Sequence, residues 1–243
     1  MIHVVVPESI KVALASNTET FNPIRLWTAA FVHWSPSHLY GNVSGFLVAT
    51  GIAWYLCTLG EKRRWFRMTF LSLLAVIPIL VSLAVYVVTV VLRGETYLCR
   101  GFSGVVAGFV AFGFVALVAL CVQTYSRRTG RAVAGTIGIL LIWEVVWLST
   151  DGGSVGLTAL TVTGSTVCVA DILRNGERPV SRDGWVDRIV STAFVVSMFL
   201  ALALLVGSLC SIPSTACPLI GRFAHAVGFV GGGTLAGFTY RRQ

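Results

Sequence analysis

Apolar residues in this chain come in long blocks separated by short polar or basic joints, and the blocks share one length. Stretches 38–57, 68–92, 102–123, 132–149, 154–170, 189–209 and 220–239 each approach the roughly 20 residues needed to cross about 30 Å of hydrocarbon. Seven membrane helices are expected. The fifth block, from Ser154 to Ala170, is the weakest, being short and rich in threonine and glycine. Its hydroxyls can bond back to their own helix, which suits a bundle interior better than lipid. Residues 1–37 hold no such block and are expected to form an extramembrane or interfacial tail, followed by a membrane domain over 38–240. Within the tail, Asn22-Pro23 marks a turn. Arg25-Leu26-Trp27 before Ala29-Ala30-Phe31-Val32 reads as a short amphipathic piece with tryptophan at headgroup level. Ser37 is expected to cap the helix that runs through Cys57.

Composition agrees with this pattern. Of 243 residues, 56% are hydrophobic and only 12% charged, and mean hydropathy is +0.83, which excludes an ordinary soluble domain. The fold class is an all-α, polytopic transmembrane bundle. A net charge of +8 raises the question of nucleic acid, but the cations sit in short clusters between apolar blocks, which argues against such a partner. These clusters are Lys62 to Arg67, Arg127 to Arg131, Arg174 to Arg188 and Arg241-Arg242, and they recur at every second joint. By the positive-inside rule they face the cytoplasm, so the tail lies outside and the C-terminus inside, in a membrane expected to be the cell membrane. Ile2 to Val6 is too short for a signal peptide. The six cysteines show no metal-ligand spacing, and Cys57, Cys121 and Cys168 read as buried thiols.

Topology then decides which polar residues can meet. With seven spans, the helices that begin near His38, Ser103 and Gly221 all enter from the outer face, and their polar residues lie within the first turn or two. Removing the fifth span would set Ser103 and His225 at opposite faces. Ser103 follows the turn Arg100-Gly101-Phe102 and precedes Gly104, a setting in which a substrate can approach the backbone closely. His225 is a protonatable group inside a membrane helix, a costly placement that points to function. His38 and Asn42 are four residues apart and share one helix face, as side-chain donors beside the Ser103 amide would. His33 lies one loop earlier, at the expected entrance. Taken singly, such residues have ordinary uses: a serine bonds its own helix, a histidine packs, an asparagine joins two helices. Their coincidence at one face is what points to a nucleophile, a base and an oxyanion site. Gly104 and Gly108 on one helix, with Gly221, Gly228 and Gly232 on the other, form small-residue faces for close helix packing.

His38-Leu39-Tyr40-Gly41-Asn42, Gly101-Phe102-Ser103-Gly104 and Ala224-His225-Ala226-Val227-Gly228 resemble, in order, the HxxxN, GxSG and AHxxG motifs of the rhomboid intramembrane serine proteases. The resemblance covers roughly residues 22–123 and 220–240. It implies that Ser103 is the nucleophile and His225 its base, and that His38, Asn42 and the Ser103 amide hold the oxyanion. It implies an endopeptidase that cuts transmembrane segments of single-span membrane proteins near the outer leaflet, within the lipid bilayer. Neither a metal nor an organic cofactor is implied. The chain departs from the family pattern in three respects. No spanning block precedes His38, for which a docked N-terminal tail or a start inside a longer protein would account. Three blocks rather than one separate the serine and histidine helices, leaving the substrate gate unassigned. Ala107 stands where many members carry an aromatic that packs on the histidine.

The rival readings come from different classes. A catalytically inactive rhomboid-like protein would use the same bundle to bind membrane helices. A transporter would show internal repeats and broken helices at mid-membrane, and the sequence shows neither. The missing final glycine of a GxSxG elbow and the lack of an expected strand before it argue against an α/β-hydrolase. Glu144 and Asp151 fall near the outer end of block four, where a solvated carboxylate is the ordinary role. Cys99, Cys210 and Cys217 fall in outer joints, where a disulfide between two of them is open in an oxidising compartment.

Overall fold

The computed structural model describes residues 6–17, 22–96, 98–149, 158–167 and 218–242. An N-terminal segment comes first: helix α1 (Glu8–Leu14), strand β1 (Ser16–Asn17), helix α2 (Pro23–Thr28) and a tight helical turn over Ala29–Phe31. Long helices follow as α3 (Pro36–Leu59), α4 (Arg63–Tyr86, widening into a π-helical stretch over Val87–Leu92), α5 (Ser103–Thr124) and α6 (Arg127–Ser149). Strand β2 (Leu98–Cys99) sits between α4 and α5, α7 covers 158–167, and α8 is Pro218–Tyr240. The protein is therefore mostly helical.

Among the described residues, three helices are long and apolar enough to cross a membrane: Pro36–Leu59, Arg63–Leu92 and Ser103–Thr124. Blocks four and seven are also helical over 23 residues each, as Arg127–Ser149 and Pro218–Tyr240. Block five is helical over its described residues, 158–167. The rest of it and block six lie outside the described residues.

Local chemistry explains the helix ends. The α3 cap is Ser35 rather than Ser37: its Oγ accepts from the His38 amide at 3.2 Å, because Pro36 is suited to the first helical position and has no amide to satisfy. Ser37 instead pairs its hydroxyl with that of Ser35 at 2.9 Å. Where α4 widens, the buried Thr89 hydroxyl donates to the Val85 carbonyl at 2.7 Å. Such a bond takes up a carbonyl that a widened ladder leaves short of a partner.

Helix α5 is the axis of the bundle. Its apolar window is 78% buried, against 33% for each of the other two candidate spans. Helices α3, α4, α6 and α8 all pack on it. The α5 and α8 backbones run parallel and in contact. A Cβ on Gly228 would collide with the Gly104 carbonyl, and one on Gly232 with the Gly108 backbone. In return, a Cβ on Gly108 would sit 3.2 Å from the Gly228 carbonyl. Both Gly-x-x-x-Gly faces are thus used as the spacing predicts. At the far end of α8, the Trp65 indole donates to the Ala236 carbonyl and to Thr239 Oγ1, each at 3.1 Å, and Thr69 Oγ1 pairs with Thr239 Oγ1 at 2.7 Å. Bonds of this kind between membrane helices contribute about 0.6 kcal/mol on average, so the cluster fixes register more than it adds stability.

Gly228→Ala and Gly232→Ala should each destabilise the bundle by about 1–3 kcal/mol, the usual range for overpacking. Gly51→Ala, where an added Cβ meets nothing within 4 Å, should be neutral or stabilising by up to about 1 kcal/mol. Unfolding midpoints of the three variants in lipid or detergent check the contrast.

Candidate active site

The turn before α5 is held from three sides. Gly101 has φ +132°, a conformation closed to most side chains, and its amide donates to the Ala29 carbonyl at 3.1 Å. A Cβ there would lie 2.9 Å from His38 Cε1, so the imidazole rests directly on the glycine. Phe102 packs its ring against Phe31 and Phe46, with centroids 5.5 and 5.4 Å away. The two glycines flanking Phe102-Ser103 thus have separate causes. Gly101 makes room for His38, while Gly104 makes room for the Ala224 carbonyl, 3.3 Å from a would-be Cβ, and for Gly228.

Ser103 is the first residue of α5, half-buried, and Phe102 supplies no side-chain cap. The Val105 and Val106 amides are met by the Phe102 carbonyl at 2.9 and 3.0 Å. The Ser103 and Gly104 amides precede them at the positive end of the helix dipole, the place where backbone donors suit a developing anion. Asn42, one turn after His38 on α3, is 6% exposed, and its Nδ2 has no hydrogen-bond acceptor among the described residues.

His225 lies on α8 between Ala224, which touches Gly104, and Gly228, so the helix contact sets it at the level of Ser103. It is 5% exposed, and its Nδ1 has no hydrogen-bond partner among the described residues. Among the described residues no hydrogen bond joins Ser103 to His225. His33, expected at the entrance, is buried and meets His38 edge-on, with ring centroids 5.2 Å apart. Of the five glycines expected to pack closely, Gly104, Gly108, Gly228 and Gly232 meet in the α5–α8 contact. Behind the turn lies a recess of about 10 Å³, lined by Ala29, Pro78, Ser82, Cys99, Gly101 and Gly104, with room for about one water.

Other features near the turn carry no motif. Arg100, next to Gly101, is nearly buried; its guanidinium covers the Trp34 ring at 3.6 Å and reaches Glu8 Oε1 at 2.8 Å. Strand β1 pairs antiparallel with β2, Ser16 opposite Cys99 and Asn17 opposite Leu98. Trp27 donates its indole N–H to the Leu74 carbonyl at 3.1 Å. That carbonyl is the one Pro78 cannot serve, lacking an amide. The proline in block two was the available signal. Cys99 is a free thiol, and burial pushes it up to about 11, so it stays protonated at neutral pH. Cys210, Cys217 and Asp151 lie outside the described residues, as does the side chain of Glu144. Comparison with protein-family models, curated proteins and solved structures finds no match to this chain.

The hydrogen bond from Arg100, then that from Lys11, holds the Glu8 carboxyl below its ordinary value of 4.5. Ionised Glu8 is thus favoured in the folded chain: the clamp on Arg100 is complete above 4.5 and is lost as pH falls through the lowered value. The protection of the β1–β2 ladder amides, relative to intrinsic exchange at each pH, should therefore fall locally as pH drops below 4.5. In Glu8→Gln that protection should be lower at neutral pH and should not change further on acidification.

Proposed function

We propose that the chain is an intramembrane serine endopeptidase of the rhomboid type, which cuts the transmembrane segments of single-span membrane proteins near the outer leaflet. The observation that carries this reading is the interlocking of the Ser103 turn with the His225 helix through Gly104 and Gly228, with His38 seated on Gly101. In this reading the chain crosses the cell membrane about seven times, with the N-terminal segment outside and the C-terminus in the cytoplasm.

The chemistry follows from the groups at hand. Ser103 Oγ attacks the scissile carbonyl while neutral His225 takes its proton; the oxyanion is held by the Ser103 amide, His38 and Asn42. Collapse breaks the C–N bond, and the amine leaves with the proton from His225. Water then attacks the acyl ester, giving its proton to His225, and the carboxylic acid departs as Ser103 recovers its hydrogen. The absence of a bond between Ser103 and His225 is compatible with this, since catalytic hydrogen bonds commonly tighten only when substrate binds. The substrate must unwind locally, because a helical carbonyl is already bonded, so residues of poor helix propensity around the cut should favour cleavage. That same unbonded pair, together with Ala107 in place of an aromatic against His225, favours a second reading: an inactive relative that binds membrane helices.

The test is cleavage of a model single-span substrate in lipid, paired with fluorophosphonate labelling of the enzyme. Wild type should cleave and label; Ser103→Ala should do neither, and His225→Ala should lose both to near background. Asn42→Ala should keep the nucleophile but lose about 10²-fold or more in kcat, the usual size for one oxyanion donor. Cleavage surviving in Ser103→Ala would end the protease reading, and a wild type that neither labels nor cleaves would favour the helix binder.

A further inference from the structure

We propose that Trp27 is a positioning residue for the Ser103 turn: by donating to the carbonyl that Pro78 leaves open in α4, it seats the segment whose Ala29 carbonyl holds Gly101. The catalytic consequence rests on the protease reading above, while the structural coupling does not.

Four observations carry the argument. First, Pro78 lies inside α4 and cannot bond back to Leu74, and in hydrocarbon an open backbone carbonyl is costly. Second, the only hydrogen bond among the described residues that reaches this carbonyl from a side chain is the Trp27 indole N–H, at 3.1 Å. An N–H tied to a carbonyl with no helical partner has little competition, so this bond fixes how Pro23–Thr28 lies on α4. Third, two residues further on, the Ala29 carbonyl accepts the Gly101 amide at 3.1 Å, two residues before Ser103. Fourth, the Trp27, Phe31 and Phe102 rings form a continuous path, with centroids 4.6 and 5.5 Å apart. The mid-helix defect in α4 and the nucleophile turn are therefore joined by one short rigid clip. Ala29, Pro78 and Gly101 also line one and the same recess.

The clip has a signature that simple stabilisation lacks. Pro78→Ala supplies the missing amide, so it should repair the α4 ladder, yet it removes the reason for Trp27 to dock there. The experiment uses the full chain in lipid and follows amide hydrogen exchange in peptides covering residues 98–104, together with the rate of fluorophosphonate labelling at Ser103. Trp27→Phe, which keeps a ring and loses the N–H, should raise exchange at the turn by up to about tenfold, the scale of one hydrogen bond lost. Pro78→Ala should raise it too, with no loss of overall thermal stability. The double variant should be no faster than the faster single, because both act on one bond. Trp54→Phe, at an exposed position on α3, should leave the turn unchanged. Labelling should slow in parallel with faster exchange. Exchange at 98–104 unmoved by Trp27→Phe, or effects that multiply in the double variant, would overturn the proposal. A wild type that never labels would sink the protease reading alone, since exchange still decides the clip.

Discussion

The contact on which the rest depends is the direct meeting of two backbones, α5 and α8, at Gly104 with Gly228 and Gly108 with Gly232. Within a bilayer no hydrophobic force drives helix to helix, because lipid tails are as apolar as leucine; close packing and polar bonds must supply the association. Two glycines per helix let the axes approach until carbonyl oxygens touch facing α-carbons. A single methyl at Gly228 would part them, and the separation would be felt most at the residues next to the contact. Those residues are Ser103 on one helix and His225 on the other. The same feature that joins the bundle therefore sets the height and distance of the two groups assigned to the chemistry.

The remaining sides of the turn are fixed by unrelated means. His38 presses on Gly101 from α3, which is why that position has no side chain and a backbone with positive φ. Ala29 holds the Gly101 amide from the N-terminal segment, and that segment is itself pinned by the β1–β2 ladder, by Glu8 on Arg100 and by Trp27 on α4. Each tether is small. Their value is that they act on one five-residue stretch from different directions, so that none can be lost without the turn gaining a direction in which to move.

Much of this was legible in the residues. The apolar blocks marked the long helices within a few residues, and the Gly-x-x-x-Gly faces named their own partners, because small residues at that spacing have a steric meaning independent of the fold. The pairing of His38 with the Gly101 turn followed from both lying at one end of the bundle. The N-terminal segment was not legible in the same way. A ladder of two residues has no periodicity to read, and the partners of Trp27 and Gly101 are backbone carbonyls, which any sequence could provide. Pro78 was the exception, since a proline inside an apolar block implies an open carbonyl four residues earlier. The cap is Ser35 rather than the expected Ser37, because the fixed φ and missing amide of Pro36 suit the first turn of the helix.

The two ends of α8 differ in a way that bears on function. At one end Thr239 accepts from Trp65 and pairs with Thr69, so the buried polar atoms there satisfy one another, as a purely architectural cluster in a dry interior should. At the other end the Nδ1 of His225 has no described partner, the Nδ2 of Asn42 has none, and the start of α5 has no side-chain cap. Among the described residues, then, one end of α8 has its buried polar groups met and the other does not, and each buried polar group without a partner costs roughly 1–3 kcal/mol. Open donors and an open base gathered around one serine are, by contrast, what a site needs if its partners are to arrive with the substrate: an oxyanion for the amide donors and a proton for the imidazole. A helix-binding scaffold would gain nothing from that arrangement unless its ligand also brought polar atoms to this depth, and an unbroken transmembrane helix carries its backbone bonds inside itself. On the proposed reading, the open end of α8 is where a substrate backbone unwound at the level of Ser103 would supply the missing partners.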